Sequence, residues 1–225
     1  MKLTLLSALN AAIAAREPVA LVTDLVSGEV RLVRPEMVEQ DQLAEALHEA
    51  FRSGKSGKAR ESAFITLHLP PVRVVVTGAV HISQAFGEMA RIAGLDCTIV
   101  DPRTAFATDA RFPGARVLAQ WPDEALPSLA IDRYTAFVAL THDPKIDDPG
   151  LVAALRANCF YIGALGSKKT HARRVERLLA AGLASDAVAR VKAPVGLDIG
   201  AVSPAEIAVS ILGEIIAAMR ARRRG

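Results

Sequence analysis

The chain has 225 residues, 51% apolar and 23% charged, values that fit one or two domains with a buried core and exclude disordered, collagenous and coiled-coil classes. The net charge is +3, but Arg220, Arg222, Arg223 and Arg224 fall in the last six residues, so the basic character is a tail rather than a nucleic-acid-binding face; aromatic residues at 4% also argue against stacking platforms. Two cysteines, Cys97 and Cys159, and five histidines without HxxxH or CxxC spacing exclude a disulfide scaffold, indicate no protein-bound metal and suit a reducing, cytoplasmic compartment.

Met1-Lys2 followed by LTLLSALNAAIAA has the outline of a targeting signal. Leu5, Leu6, Leu9, Ala12 and Ile13 nevertheless recur at helical spacing, which predicts an amphipathic helix ending near Arg16. No apolar run reaches the ~18 residues of a membrane span. PVALVTDLV (18–26) and EVRLV (29–33), joined at Ser27-Gly28, read as a β-hairpin. Residues 37–54 read as a helix with Leu43, Ala46, Leu47 and Ala50 on one face and Gly54 as a stop. GKSGKAR (54–60) reads as a basic loop and AFITLHL (63–69) as a strand. Pro70-Pro71 continues neither element and marks a boundary, so residues 1–69 are expected to form a small α/β N-terminal domain.

From residue 72 the pattern changes. VRVVVTG (72–78) is an almost continuous apolar run, as in a parallel strand buried on both faces. A helix (82–93), a strand (95–101), a short strand at 116–118 and a strand at 135–143 follow. A helix at 149–157, a strand running into a Gly-rich turn (158–167) and a basic amphipathic helix (168–183) come next. Residues 191–200 read as a short strand and loop. The last helix (203–224) opens on Ser203, Pro204 and Glu206, the spacing of a capping box with Pro at its first position. This alternation predicts a Rossmann-like, doubly wound parallel sheet over residues 72–225, beginning with 72–77 beside 96–100.

Ligands bind such sheets beyond the carboxyl ends of the strands. Four loops there carry unusual residues. In Gly78-Ala79-Val80-His81, valine stands where a dinucleotide fingerprint has its second glycine, which predicts weak NAD binding. Asp101 ends the second strand, where an acid could hold a ribose diol, and Arg103 could favour a 2′-phosphate. Thr141-His142-Asp143 follows an apolar strand and suits a ligand edge, a proton relay or an Asp-Pro turn. Gly163, Gly166 and Ser167 precede Lys168 and Lys169, two cations at a helix start where only a bound anion makes them favourable; Arg173 adds a third charge, and a solvated face is the alternative. Asp198, between Gly196 and Gly200, is either a loop clamp or an acceptor for ligand donors. Cys97 and Cys159 read as core thiols, and Trp121 as a packing residue in a loop.

The strings VDPRTAFATDARFPGA (100–115), LTHDPKID (140–147), FYIGALGSKKTHARRVERL (160–178) and APVGLDIGAVSPAEIAVSILGEII (193–216) together resemble the xanthine dehydrogenase accessory factor (XdhC/CoxI) family. The resemblance covers roughly residues 72–220, the family's C-terminal Rossmann-like domain. It implies a cytoplasmic maturation factor that binds molybdopterin or its molybdenum cofactor and aids sulfuration or insertion. The implied partners are an apo molybdenum hydroxylase and a cysteine desulfurase, and a homo-oligomer is expected. No catalytic residue or metal ligand is assigned. On this reading Gly78 to His81 and the 163–169 turn take phosphate, and Asp101, His142 and Asp198 take hydroxyl or pterin donors. The family's first turn reads G-A-G-H where this chain has Val80, and residues 1–69 lack the family's N-terminal Gly-Ser-x-Pro-Arg and Gly-Gly-Gly stretches. An NAD(P)-dependent oxidoreductase and a ligand-free interaction module are the alternatives.

Overall fold

In a computed structural model the described residues are 2–222; Met1, Arg223, Arg224 and Gly225 lie outside them. The chain divides into two units, residues 1–71 with 220–225, and Val72–Met219.

The first unit is a four-stranded antiparallel sheet in the order β2-β1-β4-β3. Its strands are β1 (Val19–Asp24), β2 (Val30–Val33), β3 (Gly57–Arg60) and β4 (Ala63–His68). β1 is central, and its alternate residues serve two cores. Ala20 and Val22 pack with Leu47 and Ala50 of α2 (Ala44–Ser53), while Val19 and Leu21 pack with Leu9 and Ala12 of α1 (Leu3–Ala14). Leu6 and Ile13, expected on the same buried stripe, are 37% and 49% exposed, while Leu5 packs beside the buried Leu9 and Ala12.

Two expectations need correction here. Residues 37–54 are not one helix. A 3-10 turn (Pro35–Gln40) precedes α2, and Asp41 separates them. Its carboxylate accepts from the Leu43 N–H (2.9 Å) and from Arg31 (2.9 and 2.7 Å), a side-chain turn that competes with helix. Residues 54–60 are not simply a loop, since Gly57–Arg60 form edge strand β3. Lys58 and Arg60 point outward, so the strand carries charge where an unpaired edge needs it and shows little apolar signal.

The second unit is a five-stranded parallel sheet in the order β7-β6-β5-β8-β9. The strands are β5 (Arg73–Thr77), β6 (Asp96–Val100), β7 (Arg116–Leu118), β8 (Thr135–Ala139) and β9 (Tyr161–Ala164). β5 lies beside β6 as expected, and the order reverses between β5 and β8, the switch point of a Rossmann-like sheet. Helices cover both faces. α3 (His81–Ile92) and α8 (Pro204–Ala221) bury Phe86, Ala90, Ala208, Ile211 and Ile215 against Val74, Val76 and Val138. α4 (Pro122–Leu129), α5 (Pro144–Arg156) and α6 (Lys168–Ala180) bury Leu126, Leu151 and Leu178 against Val75, Phe137 and Ile162. The continuous apolar strands thus face helices on both sides.

Several boundaries differ from those read in the sequence. α4 replaces the loop expected after residue 118, with Trp121 at its N-cap and 44% exposed. α5 begins at Pro144 rather than near Pro149, because Asp143 caps it by accepting from the Lys145 N–H (2.9 Å). A short helix, α7, spans Ser185–Val188. The strand expected from 191 is reduced to one parallel bridge, Lys192 to Gly163. Cys159 precedes β9 rather than lying within it; both thiols are buried.

The capping box of α8 forms as read. Ser203 Oγ accepts from the Glu206 N–H (3.3 Å), and the Glu206 carboxylate accepts from the Ser203 and Val202 N–H groups (2.9 and 2.7 Å). Ser203→Ala is expected to cost about 1 kcal/mol. Thermal unfolding followed by circular dichroism should register a loss of about 2–4 °C.

Candidate functional site

The first loop closes on itself. Gly78 has φ +114, and a Cβ there would lie 2.9 Å from Thr141 Cγ2, so the turn after β5 presses against the loop after β8. The Gly78 N–H donates to Val100 O (2.9 Å), the Ala79 N–H to Asp101 (2.7 Å) and the Val80 N–H to Ser83 Oγ (2.9 Å). Three amides of the turn are therefore taken by the protein, and Val80 remains half-buried above them. His81 is exposed at the first position of α3.

Asp101 is fully buried, and each of its oxygens receives two donors. Oδ1 accepts from the Arg103 N–H and Nε (2.9 Å each), and Oδ2 from Arg103 Nη2 (2.6 Å) and the Ala79 N–H. Burial pushes this carboxyl up, but Arg103 and the two amides outweigh it and hold it below its ordinary value. Asp101 and Arg103 thus clamp the β5 turn to the end of β6, and Arg103 also lies over the Phe106 ring at 5.1 Å. Arg111 completes the clamp, donating to Ala79 O (3.1 Å) and Phe106 O (2.8 Å).

The loop after β8 is organised by Asp147, on the first turns of α5. Its buried carboxylate accepts from Thr141 Oγ1 (2.8 Å), the Thr141 N–H (3.3 Å), Thr77 Oγ1 (3.3 Å) and the His142 N–H (3.0 Å). Burial pushes the Asp147 carboxyl up, opposed by the Thr141 bonds and by Arg174. His142, at φ +63, is exposed, as is Asp143. Gly163 lies within β9, where a Cβ would fall 2.5 Å from Val195 Cγ2; its lack of a side chain serves packing. Gly166 has φ +133, and Ser167 caps α6 by accepting from the Thr170 N–H (3.2 Å). The Ala164 and Leu165 amides donate to Lys192 O and Ala139 O. Lys168 and Lys169 are exposed, and Asp198 is exposed in the 196–200 loop.

These parts meet in a cleft of about 400 Å³ lined by His142, Asp147, Lys169, Arg173, Arg174 and Arg177, among others. It lies on the β8/β9 side of the switch point. Arg177 is bound to Asp148 (2.5 and 3.1 Å), and that pair also borders an apolar groove of about 780 Å³ between α4, α5 and α6. The cleft thus collects four cations against Asp147 and Asp148. Of the residues proposed from sequence, His142, Lys169 and Arg173 line it; Gly78, Ala79, His81, Asp101, Arg103, Thr141, Asp143, Gly163, Gly166, Ser167, Lys168 and Asp198 do not.

The sequence family described as the XdhC Rossmann domain matches residues 74–215. The chain belongs to the XdhC family. It is 33% identical over 146 residues to the molybdenum cofactor insertion chaperone PaoD of Escherichia coli (strain K12), covering 65% of this chain and 40% of that one. It is 32% identical over 154 residues to a probable xanthine dehydrogenase subunit of Bacillus subtilis (strain 168), covering 68% and 44%. It is 30% identical over 156 residues to the uncharacterized protein YqeB of Escherichia coli (strain K12), covering 69% and 29%. The matched stretch is therefore less than half of each of these relatives. A crystal structure of a xanthine dehydrogenase from Bacillus halodurans shares the fold, with a TM-score of 0.67 at 24% identity over 96% of this chain and 64% of that one.

In this XdhC domain, three residues that shape the site do not stand out in the sequence: Asp147, Arg174 and Arg177. Arg174 carries a usable signal. It stands four residues before buried Leu178, on the one stripe of α6 that turns inward, where an apolar residue is expected. Asp147 gives none, because an acid in the first turns of a helix is ordinary.

Proposed function

We propose that this chain is an accessory factor in molybdenum hydroxylase maturation, holding the molybdenum cofactor at the carboxyl edge of its parallel sheet and passing it to the apo-enzyme. The observation that carries the reading is the cationic cleft itself: Lys169, Arg173, Arg174 and Arg177 gathered where open α/β sheets take ligands. That donor set suits an anionic organic cargo that is held and released. Cys97 and Cys159 are buried with their thiols pushed up to about 12 by desolvation, so neither is a ready nucleophile at neutral pH. Among the described residues there is no cluster of metal-ligating side chains. Anion binding is the chemistry that the four cations of the cleft offer. The names of two relatives, an insertion chaperone and a xanthine dehydrogenase subunit, point the same way. A cysteine desulfurase supplying sulfur to the held cofactor belongs to this reading as a further partner. The dinucleotide alternative is disfavoured by the turn after β5, whose first three amides are already bonded.

The test is to purify the chain from cells that make the cofactor and identify what it carries. A phosphorylated pterin by mass spectrometry, molybdenum by elemental analysis, and activation of an apo-hydroxylase by the loaded protein are expected. Recovery of NAD(P) instead, or no pterin together with no activation, would overturn the proposal.

A further inference from the structure

Arg174 is a buried arginine on the inward stripe of α6. It is 2% exposed, among the largest fully buried side chains, and it lines the cationic cleft. Nη2 donates to Leu165 O (2.8 Å). Nε and Nη1 are buried without a hydrogen-bond partner among the described residues. One N–H on Nε and two on Nη1 therefore lack an acceptor. A buried polar group in that condition is costly and calls for an explanation.

The obvious candidate to satisfy it is Asp147, the carboxylate whose charge acts on Arg174. Its oxygens are engaged elsewhere, by two threonine hydroxyls and two backbone amides. Asp148, the other acid of the cleft, is held by Arg177. The protein thus brings a guanidinium into its interior, offers it long-range negative charge, and withholds the acceptors. Arg173 and Lys169 stand exposed at the mouth of the same cleft, on the turn of α6 before it. A buried donor fork at the bottom and two exposed cations at the rim match a compact, multiply charged oxyanion with several acceptor oxygens.

We propose that this cleft is a phosphate-monoester site, with Arg174 as the buried anchor and Arg173 and Lys169 as the rim. On this assignment the phosphate sits against the side chains of the inward-facing part of α6, not on the amides of the 163–167 turn, two of which are already bonded within the fold. The identity of the ester as the phosphate of the cofactor rests on the functional reading above; the oxyanion site itself does not. Free phosphate and an organic phosphate monoester present the same chemistry to these residues.

Calorimetry of the whole chain with inorganic phosphate, and with acetate for comparison, tests the site. The parent is expected to bind phosphate in preference to acetate. Lys169→Ala with Arg173→Ala, both on the surface, should weaken phosphate tenfold or more, and Arg174→Gln should remove detectable binding. Arg174→Lys should fall between, because it keeps a charge but loses the planar donor set. If Arg174→Gln does not fold, the rim double variant decides, together with phosphate-induced thermal stabilisation of the parent. Phosphate affinity within twofold of the parent in the rim double variant, or in a folded Arg174→Gln, overturns the site. Arg174-dependent phosphate binding with which molybdopterin does not compete leaves the site standing and removes the cofactor reading. Equal cofactor recovery with the parent and Arg174→Gln would overturn the assignment of the cofactor phosphate to this site and leave the cofactor reading standing.

Discussion

Asp147→Ala is expected to lower the melting temperature by about 6–20 °C. The figure follows from about 3–5 kcal/mol for removing one side of a buried charged network, at about 2–4 °C per kcal/mol for a domain of this size. Four donors converge on this carboxylate, and two of them are the backbone amides of Thr141 and His142. Alanine leaves these groups without their acceptor and removes one of the two negative charges that act on Arg174. His142 is also held at φ +63, a conformation that needs its surroundings to enforce it. Asp147→Asn keeps the volume but turns one acceptor into a donor facing a donor, so it should fall between parent and alanine. Differential scanning calorimetry of the three proteins checks the order. A loss under about 2 °C for Asp147→Ala would mean the loop is held by something else.

Gly196→Ala is expected to be comparably severe. A Cβ on Gly196 would lie 2.2 Å from Ser210 Oγ and 3.1 Å from the backbone of α8, at a φ of +95. The segment is fixed by two bonds to α8, the Gly196 N–H donating to Glu214 (2.8 Å) and the Leu197 N–H to Ser210 O (3.1 Å), and Tyr161 Oη donates to the same Glu214 oxygen (2.6 Å). Turning Ser210 Oγ away would give up its bond to Ile207 O (2.9 Å), and the α8 backbone at 3.1 Å and the positive φ would remain. Overpacking and strained backbone together suggest about 2–5 kcal/mol. Urea unfolding should show a lower midpoint with little change in slope, and an unchanged midpoint would refute the tight approach.

The parts of the fold that are legible in sequence are those where one local signal decides the outcome. β5 and β8 announce themselves as apolar runs because helices cover both faces. The start of α8 is written in Ser203, Pro204 and Glu206. β3 is not legible, since an edge strand bearing Lys58 and Arg60 has the composition of a loop. The start of α5 is obscured by a second proline, Pro149, which reads as a beginning although Pro144 already holds that position. At the site, the loops are legible and the partnerships are not. Asp101 and Arg103 read as ligand groups, but they stand two residues apart and satisfy each other. The cleft is assembled by α5 and α6 meeting side by side, through Asp148 and Arg177, 29 residues apart.

The single bridge beyond β9 decides how this sheet can be joined. The Ala164 N–H donates to Lys192 O (2.9 Å), and the Lys192 N–H donates to Ile162 O (2.8 Å). Those are the groups a strand from another molecule would need for growth from that border. One residue, with no strand of its own, therefore terminates the hydrogen-bond ladder on that side. A strand from another molecule would have to displace Lys192 to pair with these two groups. At that point of the border the outward surface is the exposed Lys192 side chain rather than open main-chain groups of β9.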